Sequence, residues 1–178
     1  LSAVQNLDDF RKFMIAAAAR TGQMLNYANI ADEVGKDQTT IRRWISVLEA
    51  SGIIYLLEPF TSSVLKRAIK TPKLYFRDTG LAAYLTRWLT PDTLANGAMS
   101  AAFFETFVIS EILKSYSNRG IDYRYCVSYY RGRDRKKVNS SGREVSKESE
   151  IDLIIEENGT LYPVEIKKGV SVAADQTS

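Results

Sequence analysis

Charged residues that interrupt apolar strands are the clearest carriers of chemistry in this chain. Asp152 lies within the run IDLII, and Glu165 and Lys167 flank an isoleucine in VEIK. Side chains alternate across a strand, so Ile151, Leu153 and Ile155 share one face while Asp152 and Ile154 share the other. In the second run Val164 and Ile166 lie together, and Glu165 and Lys167 emerge on the opposite side. Asn158-Gly159 between the runs predicts a tight hairpin over residues 150–168 that sets Asp152 beside the Glu165/Lys167 pair. Two carboxylates at short range repel, and a hard divalent cation such as Mg2+ or Mn2+, bound through oxygen, relieves the repulsion. Asp152 and Glu165 are therefore candidate metal ligands, and Lys167 can orient a water or stabilise negative charge on phosphate. The plain alternative is a solvated strand face carrying an ordinary Glu/Lys pair.

Composition narrows the chemistry further. The 178 residues include one cysteine, Cys126, and no histidine. A Cys/His zinc site, a Ser-His-Asp triad and an internal disulfide framework are thereby excluded, and a reducing, cytoplasmic setting is expected. Any acid–base or metal chemistry must run on carboxylates and lysine. An apolar fraction of 45% with 25% charged residues is ordinary for a globular chain. The net charge of +3 permits nucleic-acid binding without requiring it. No apolar run approaches the roughly 20 residues that cross a bilayer, and no signal-peptide pattern opens the chain, so no membrane partner is expected.

The elements that must position these residues follow from periodicity. Residues 7–20 predict a helix with Asn6 as a cap and an apolar stripe of Leu7, Phe10, Met14 and Ile15. Asn26 caps a short helix over residues 27–34 that Gly35 stops, and Asp37 opens a third helix whose inward positions are Ile41, Trp44, Ile45 and Leu48. A short helix, a turn with glycine and a longer helix form the helix-turn-helix pattern. The front of the third helix carries Thr39, Thr40, Arg42 and Arg43, residue types that contact phosphates and base edges. A strand over residues 53–58, a basic loop with Lys66, Arg67, Lys70 and Lys73, and a strand over residues 74–77 add a wing. This module binds duplex nucleic acid, or it serves interaction and packing alone.

Residues 79–88 predict a helix with Leu81, Tyr84, Leu85 and Trp88 inward, and Pro91-Asp92 predicts a turn. The domain boundary falls between residues 89 and 97, with Gly97 as a hinge, dividing the chain into residues 1–90 and 98–178. A helix over residues 98–116 presents Phe103, Phe104, Phe107, Val108, Ile112 and Leu113 as a broad apolar face. Glu105 sits inside that aromatic run and needs a partner. It belongs to the candidate site or is paired with a Lys or Arg of the neighbouring domain, and Glu111 competes for the same role from well round the helix. Residues 121–130 predict the first strand of a sheet, in which Cys126 packs as a small apolar residue. Residues 131–149 are polar, basic and glycine-interrupted, and predict a loop that meets phosphate or is simply solvated.

The runs EIDLIIE and YPVEIKK resemble the PD-(D/E)xK nuclease-like superfamily, in which a hairpin supplies an Asp and then Glu-x-Lys. With GIIYLLEP, KTPKLYFRDTGLAAYL and FFETFVISEIL, nearly the whole chain resembles the region that follows the ATPase module in many bacterial and archaeal AAA-type ATPases. The resemblance implies an α+β protein: an N-terminal winged helix-turn-helix, then a restriction-endonuclease-like mixed α/β domain truncated at its C-terminus. It implies a metal-dependent phosphodiesterase site of Glu105, Asp152, Glu165 and Lys167, holding Mg2+ or Mn2+ through Asp152 and Glu165. The implied partners are nucleic acid, DNA more than RNA, contacted by Thr39, Thr40, Arg42, Arg43, Lys66 and Arg67. A further partner is an ATPase module upstream in the same polypeptide, through which the protein could oligomerise. The residue before Asp152 is Ile151 where the superfamily pairs Pro with Asp. No GxxxxGK[ST] loop is present, so no ATP site is expected in this chain. The rival reading keeps the nuclease-like fold as a scaffold that couples recognition to the ATPase without cutting.

Overall fold

The computed structural model describes residues 7–61, 71–133, 137–138, 144–145 and 148–169. Their architecture is mixed α+β, with small antiparallel sheets separated by helices. The chain opens with helix α1 (Leu7–Ala18), the short strand β1 (Gln23–Met24), helix α2 (Tyr27–Val34) and helix α3 (Gln38–Ala50). The capping logic of the sequence holds at both inner helices. The Asn26 side chain accepts from the Asn29 N–H, Gly35 ends α2 in the left-handed region at φ 71°, and Asp37 accepts from the Thr40 N–H. Such caps are each worth about 1 kcal/mol. Ile41, Trp44, Ile45 and Leu48 all face the core, as their spacing requires.

The stripe on α1 is rotated from the expected one. Leu7 is 79% exposed, whereas Phe13, Ala16, Ala17 and Ala18 are buried, with Phe10 and Met14 packed at the margin. Small alanines let α1 lie close against its neighbours, and Phe13 packs its ring 5.2 Å from that of Trp44. The expected Asn6 cap lies outside the described residues.

Strands β2 (Ile54–Leu57) and β3 (Lys73–Phe76) pair antiparallel, and β1 joins the far side of β3, giving the order β1-β3-β2. Every residue of β3 is buried, Lys73 included. This corrects the placement of Lys73 in a basic loop; Lys66, Arg67 and Lys70 lie outside the described residues.

Helix α4 (Thr79–Leu85) is shorter than expected and buries Ala82 and Ala83, while Tyr84 is 69% exposed rather than inward. Pro91 begins a further helix, α5 (Pro91–Asn96), because Thr90 caps it and Pro is suited to a first helical position. Gly97 serves close packing: a Cβ there would come within 2.1 Å of the Trp88 ring.

Helix α6 (Ser100–Asn118) joins the two sheets. Its buried residues are Phe103, Thr106, Ile109, Ser110 and Leu113, a narrower face than its hydrophobicity suggests, since Phe104 and Phe107 are exposed. Phe103 packs into the core of α1–α3. Ile109 and Leu113 pack with Tyr55, Leu57 and Tyr75 from the first sheet and Val127, Tyr129 and Leu153 from the second. Polar groups add to the seam. Thr21 Oγ1 and Thr106 Oγ1 lie 2.9 Å apart, the Phe76 N–H donates to Thr21 Oγ1, and Ser110 Oγ donates to the Arg77 carbonyl at 3.1 Å.

A single 3-10 turn (Tyr123–Tyr125) replaces the start of the strand expected from residue 121, because Asp122 caps it by accepting from the Arg124 N–H. Strand β4 (Val127–Arg133) follows, then the short pair β5 (Lys137–Val138) and β6 (Glu144–Val145), within the stretch read as loop. Strands β7 (Glu148–Glu157) and β8 (Thr160–Val164) form the expected hairpin, with Asn158 at φ 51° and Gly159 at φ 79°. The second sheet has the order β4-β7-β8, antiparallel throughout. Tyr129 also makes an isolated bridge to Pro59, so the chain after β2 continues beside β4 and ties the sheets together. No helix among the described residues is long and apolar enough to cross a membrane.

Candidate functional site

Lys73 is the centre of the polar seam between the sheets. Its side chain is 5% exposed, which an ammonium tolerates only with compensating charge. The compensation comes from two later elements. Glu150 of β7 accepts at 2.5 Å from Nζ, and Glu105 of α6 lies 3.5 Å away. Nζ also sits 5.5 Å from the centre of the Tyr129 ring. Tyr75, two residues along β3 on the same side, donates its hydroxyl to Glu105 Oε1 at 2.6 Å. Gly22 stands beside this cluster at φ 80°, a left-handed conformation that favours glycine.

The electrostatics follow from this packing. Burial pushes the Glu105 carboxyl above the usual carboxylate range, against the opposing pull of the Tyr75 hydroxyl and the Lys73 charge, and Asp152 adds to the rise. For Lys73, burial alone would lower the pKa. The hydrogen bond that Lys73 donates to Glu150 and the charges of Glu105, Glu150 and Asp152 outweigh it, and the net shift is upward. Tyr75 is raised by burial and then by Glu105. Lys73 is therefore held as a cation, and it offsets part of the negative charge of the carboxyl groups around it.

The residues read from the sequence divide around this cluster. Glu105 and Asp152 belong to it, since Asp152 is felt by Lys73, Tyr75 and Glu105 alike. Asp152 Oδ2 accepts the Ile166 N–H at 2.8 Å, so its carboxylate fixes the chain as it leaves β8. Glu165 and Lys167 lie beyond the last pair of the β7–β8 ladder, which ends at Leu153 opposite Val164. The alternation nevertheless continues, with Val164 and Ile166 packed against the core and Glu165 and Lys167 on the opposite side. They are exposed and pair with each other at 3.5 Å. Glu111 is exposed and paired with Lys114 at 2.8 Å.

A divalent metal does not fit this arrangement. Glu105 is directed at Tyr75 and Lys73, Asp152 at a backbone N–H, and Glu165 at Lys167. Among the described residues no three Asp, Glu, Cys or His side chains are grouped to hold an ion. Lys73, Tyr75 and Glu150 are the members of the cluster that spacing did not place there. The signal for Lys73 was its position at the head of an apolar run, KLYF, where a charge must be buried.

On α3, Thr40 spends its hydroxyl on Asp37 at 2.7 Å, completing the cap, while Thr39 and Arg43 are exposed. Arg42 stacks its guanidinium 4.0 Å from the centre of the Tyr27 ring. Lys66 and Arg67 lie outside the described residues. Beside α3 a groove of about 680 Å³ runs from Gln38 and Arg42, past Asn26 and Asn29, to Lys73 and Glu150.

Two curated relatives match residues along most of the chain: the uncharacterised proteins Rv2008c of Mycobacterium tuberculosis and Mb2031c of Mycobacterium bovis. Each is 28% identical over 150 residues, covering 83% of this chain. The chain spans about 29% of the length of these relatives. No solved structure gives a significant match. Residues 100–178 match a second family, a domain of unknown function designated DUF4143. Residues 1–92 match the family described as a domain of unknown function, DUF8612, and the chain belongs to that family.

Proposed function

We propose that this chain is the nucleic-acid-binding, nuclease-like C-terminal part of an AAA-type ATPase, and that it couples recognition to the ATPase without hydrolysing its ligand. The observation that carries this reading is the insertion of Lys73 between Glu105 and Glu150. One cation from the first sheet bridges Glu105 and Glu150 of the α6–β7 unit and holds that unit against the first sheet. A load on one is thereby felt by the other. The order α1-β1-α2-α3-β2-β3 supports a winged helix, with α3 as the reading element. Helix α6 followed by the β4-β7-β8 sheet supports a restriction-endonuclease-like core. The second family is commonly a C-terminal region of AAA-ATPase-like proteins, which supports an ATPase module and assembly through it.

Nucleic acid, DNA in preference to RNA, is the ligand of this reading. Arg42 and Arg43 supply charge that should make affinity fall steeply with salt. The test uses the full-length polypeptide with labelled DNA at several salt concentrations, followed by product analysis with Mg2+ or Mn2+ present. Salt-dependent binding weakened by Arg42→Ala plus Arg43→Ala, with the DNA left intact, is expected. Cleavage lost in Asp152→Asn would establish a metal-dependent phosphodiesterase instead, and unaltered binding by the double variant would remove α3 from the interface.

A further inference from the structure

The groove beside α3 has the chemistry of a site for bases rather than for a duplex surface. Its volume of about 680 Å³ falls in the range that encloses nucleotide-sized ligands. One wall is built by α2 and α3, which contribute Asn29, Gln38 and the Arg42–Tyr27 stack. The other comes from β1, with Arg131 of β4 and Glu150 of β7 at the far side.

Three features of these walls are specific. The Asn29 and Gln38 side chains have no hydrogen-bond partner among the described residues, so both primary amides are available to a ligand. Each offers a donor and an acceptor side by side, the pattern that matches a base edge. Arg42 forms no ion pair among the described residues. Its guanidinium carbon stands 4.0 Å over the centre of the Tyr27 ring, and a planar guanidinium is a surface on which an unpaired base can stack. The charged side chains that line the groove are Arg42, Lys73 and Arg131 against Glu150 alone, so its lining is positive on balance.

The chemistry of the groove suits an unpaired strand better than a duplex. A recognition helix reads bases by projecting into a major groove about 12 Å wide. Here Gln38 and Arg42 share an open groove with β1, Arg131 and Glu150, where an unpaired base can lie against Arg42 with its edge turned to the two amides. We infer that the groove binds an unpaired stretch of nucleic acid, with one base stacked on Arg42 and its edge read by Asn29 and Gln38. This inference rests on the nucleic-acid reading proposed above and specifies its ligand as single-stranded.

Fluorescence anisotropy of the full chain with a labelled 12-nucleotide single strand and with the duplex of the same sequence provides the test. Single-strand affinity at least ~10-fold above duplex affinity is expected, from the worth of base stacking on a planar side chain. Asn29→Ala plus Gln38→Ala should reduce single-strand affinity by ~10-fold or more while changing duplex affinity little. Both side chains are exposed, and an unchanged circular dichroism melt establishes that the variant is folded. Duplex binding equal to or tighter than single-strand binding, or a single-strand affinity untouched by the double variant, overturns the groove assignment and leaves the broader reading standing. Failure of both probes to bind the parent chain overturns both.

Discussion

Two lysine–carboxylate groups in this molecule behave in opposite ways. Lys167 and Glu165 are two residues apart in the chain, face solvent and satisfy each other. Lys73, Glu105 and Glu150 are far apart in the chain, come from a strand, a helix and a second strand, and meet in a seam where the lysine is buried. A short sequence spacing makes a local pair conspicuous, but local pairs at the surface carry little energy. A charge forced into an apolar strand is less conspicuous and structurally decisive, since its burial is tolerable only where other elements deliver the counter-charge.

The sharpest way to break this contrast is to remove the buried cation. Lys73→Met leaves Glu105 and Glu150 facing each other and should cost about 3 kcal/mol in urea denaturation, near the low end for a broken buried pair. The lower figure reflects Glu150, which is 39% exposed and can turn to solvent. Adding Glu105→Gln to Lys73→Met should recover part of the loss, because a neutral amide is cheaper to leave in the seam. Full additivity of the two changes would deny that they share one interaction.

Tyr75→Phe should cost about 1.5–2 kcal/mol, the worth of a hydrogen bond to a charged acceptor. It should also raise the Glu105 pKa further, since the hydroxyl now opposes that rise.

The pH dependence separates the two groups with a definite sign. Glu105 binds a proton more readily when folded than when unfolded, so stability should fall as pH rises from about 4.5 through its raised folded pKa. Glu105→Gln should remove that slope. Lys73 has a raised folded pKa, so its contribution is present in full below about 10.5 and is lost as pH climbs through the folded value. Denaturation curves from pH 4 to 11 for the parent and the two variants check both signs. The smallest effect belongs to the exposed pair: Glu165→Ala or Lys167→Ala should change stability by less than about 0.5 kcal/mol.

Much of the fold was legible because it is locally encoded. Asn26, Gly35 and Asp37 terminate helices through groups within a few residues, and Asn158-Gly159 closes its hairpin through two left-handed residues. Elements whose faces are chosen by distant partners were less legible. Tyr84 and Phe107 are apolar at helical spacing yet exposed, while Thr21, Thr106 and Ser110 are polar yet buried, because they bond across the seam. Glu105 and Asp152 were visible as anomalies in apolar runs, but their shared cation was not. Nothing near Lys73 in the chain announces that α6 and β7 will converge on it.

The most direct measurement of the central claim, that the acids serve Lys73 rather than a metal, is calorimetric titration of Mn2+ into the chain and its Asp152→Ala variant. The account predicts no saturable binding heat in either protein. Saturable binding in the parent that disappears in Asp152→Ala would contradict it and would make the cluster a metal centre.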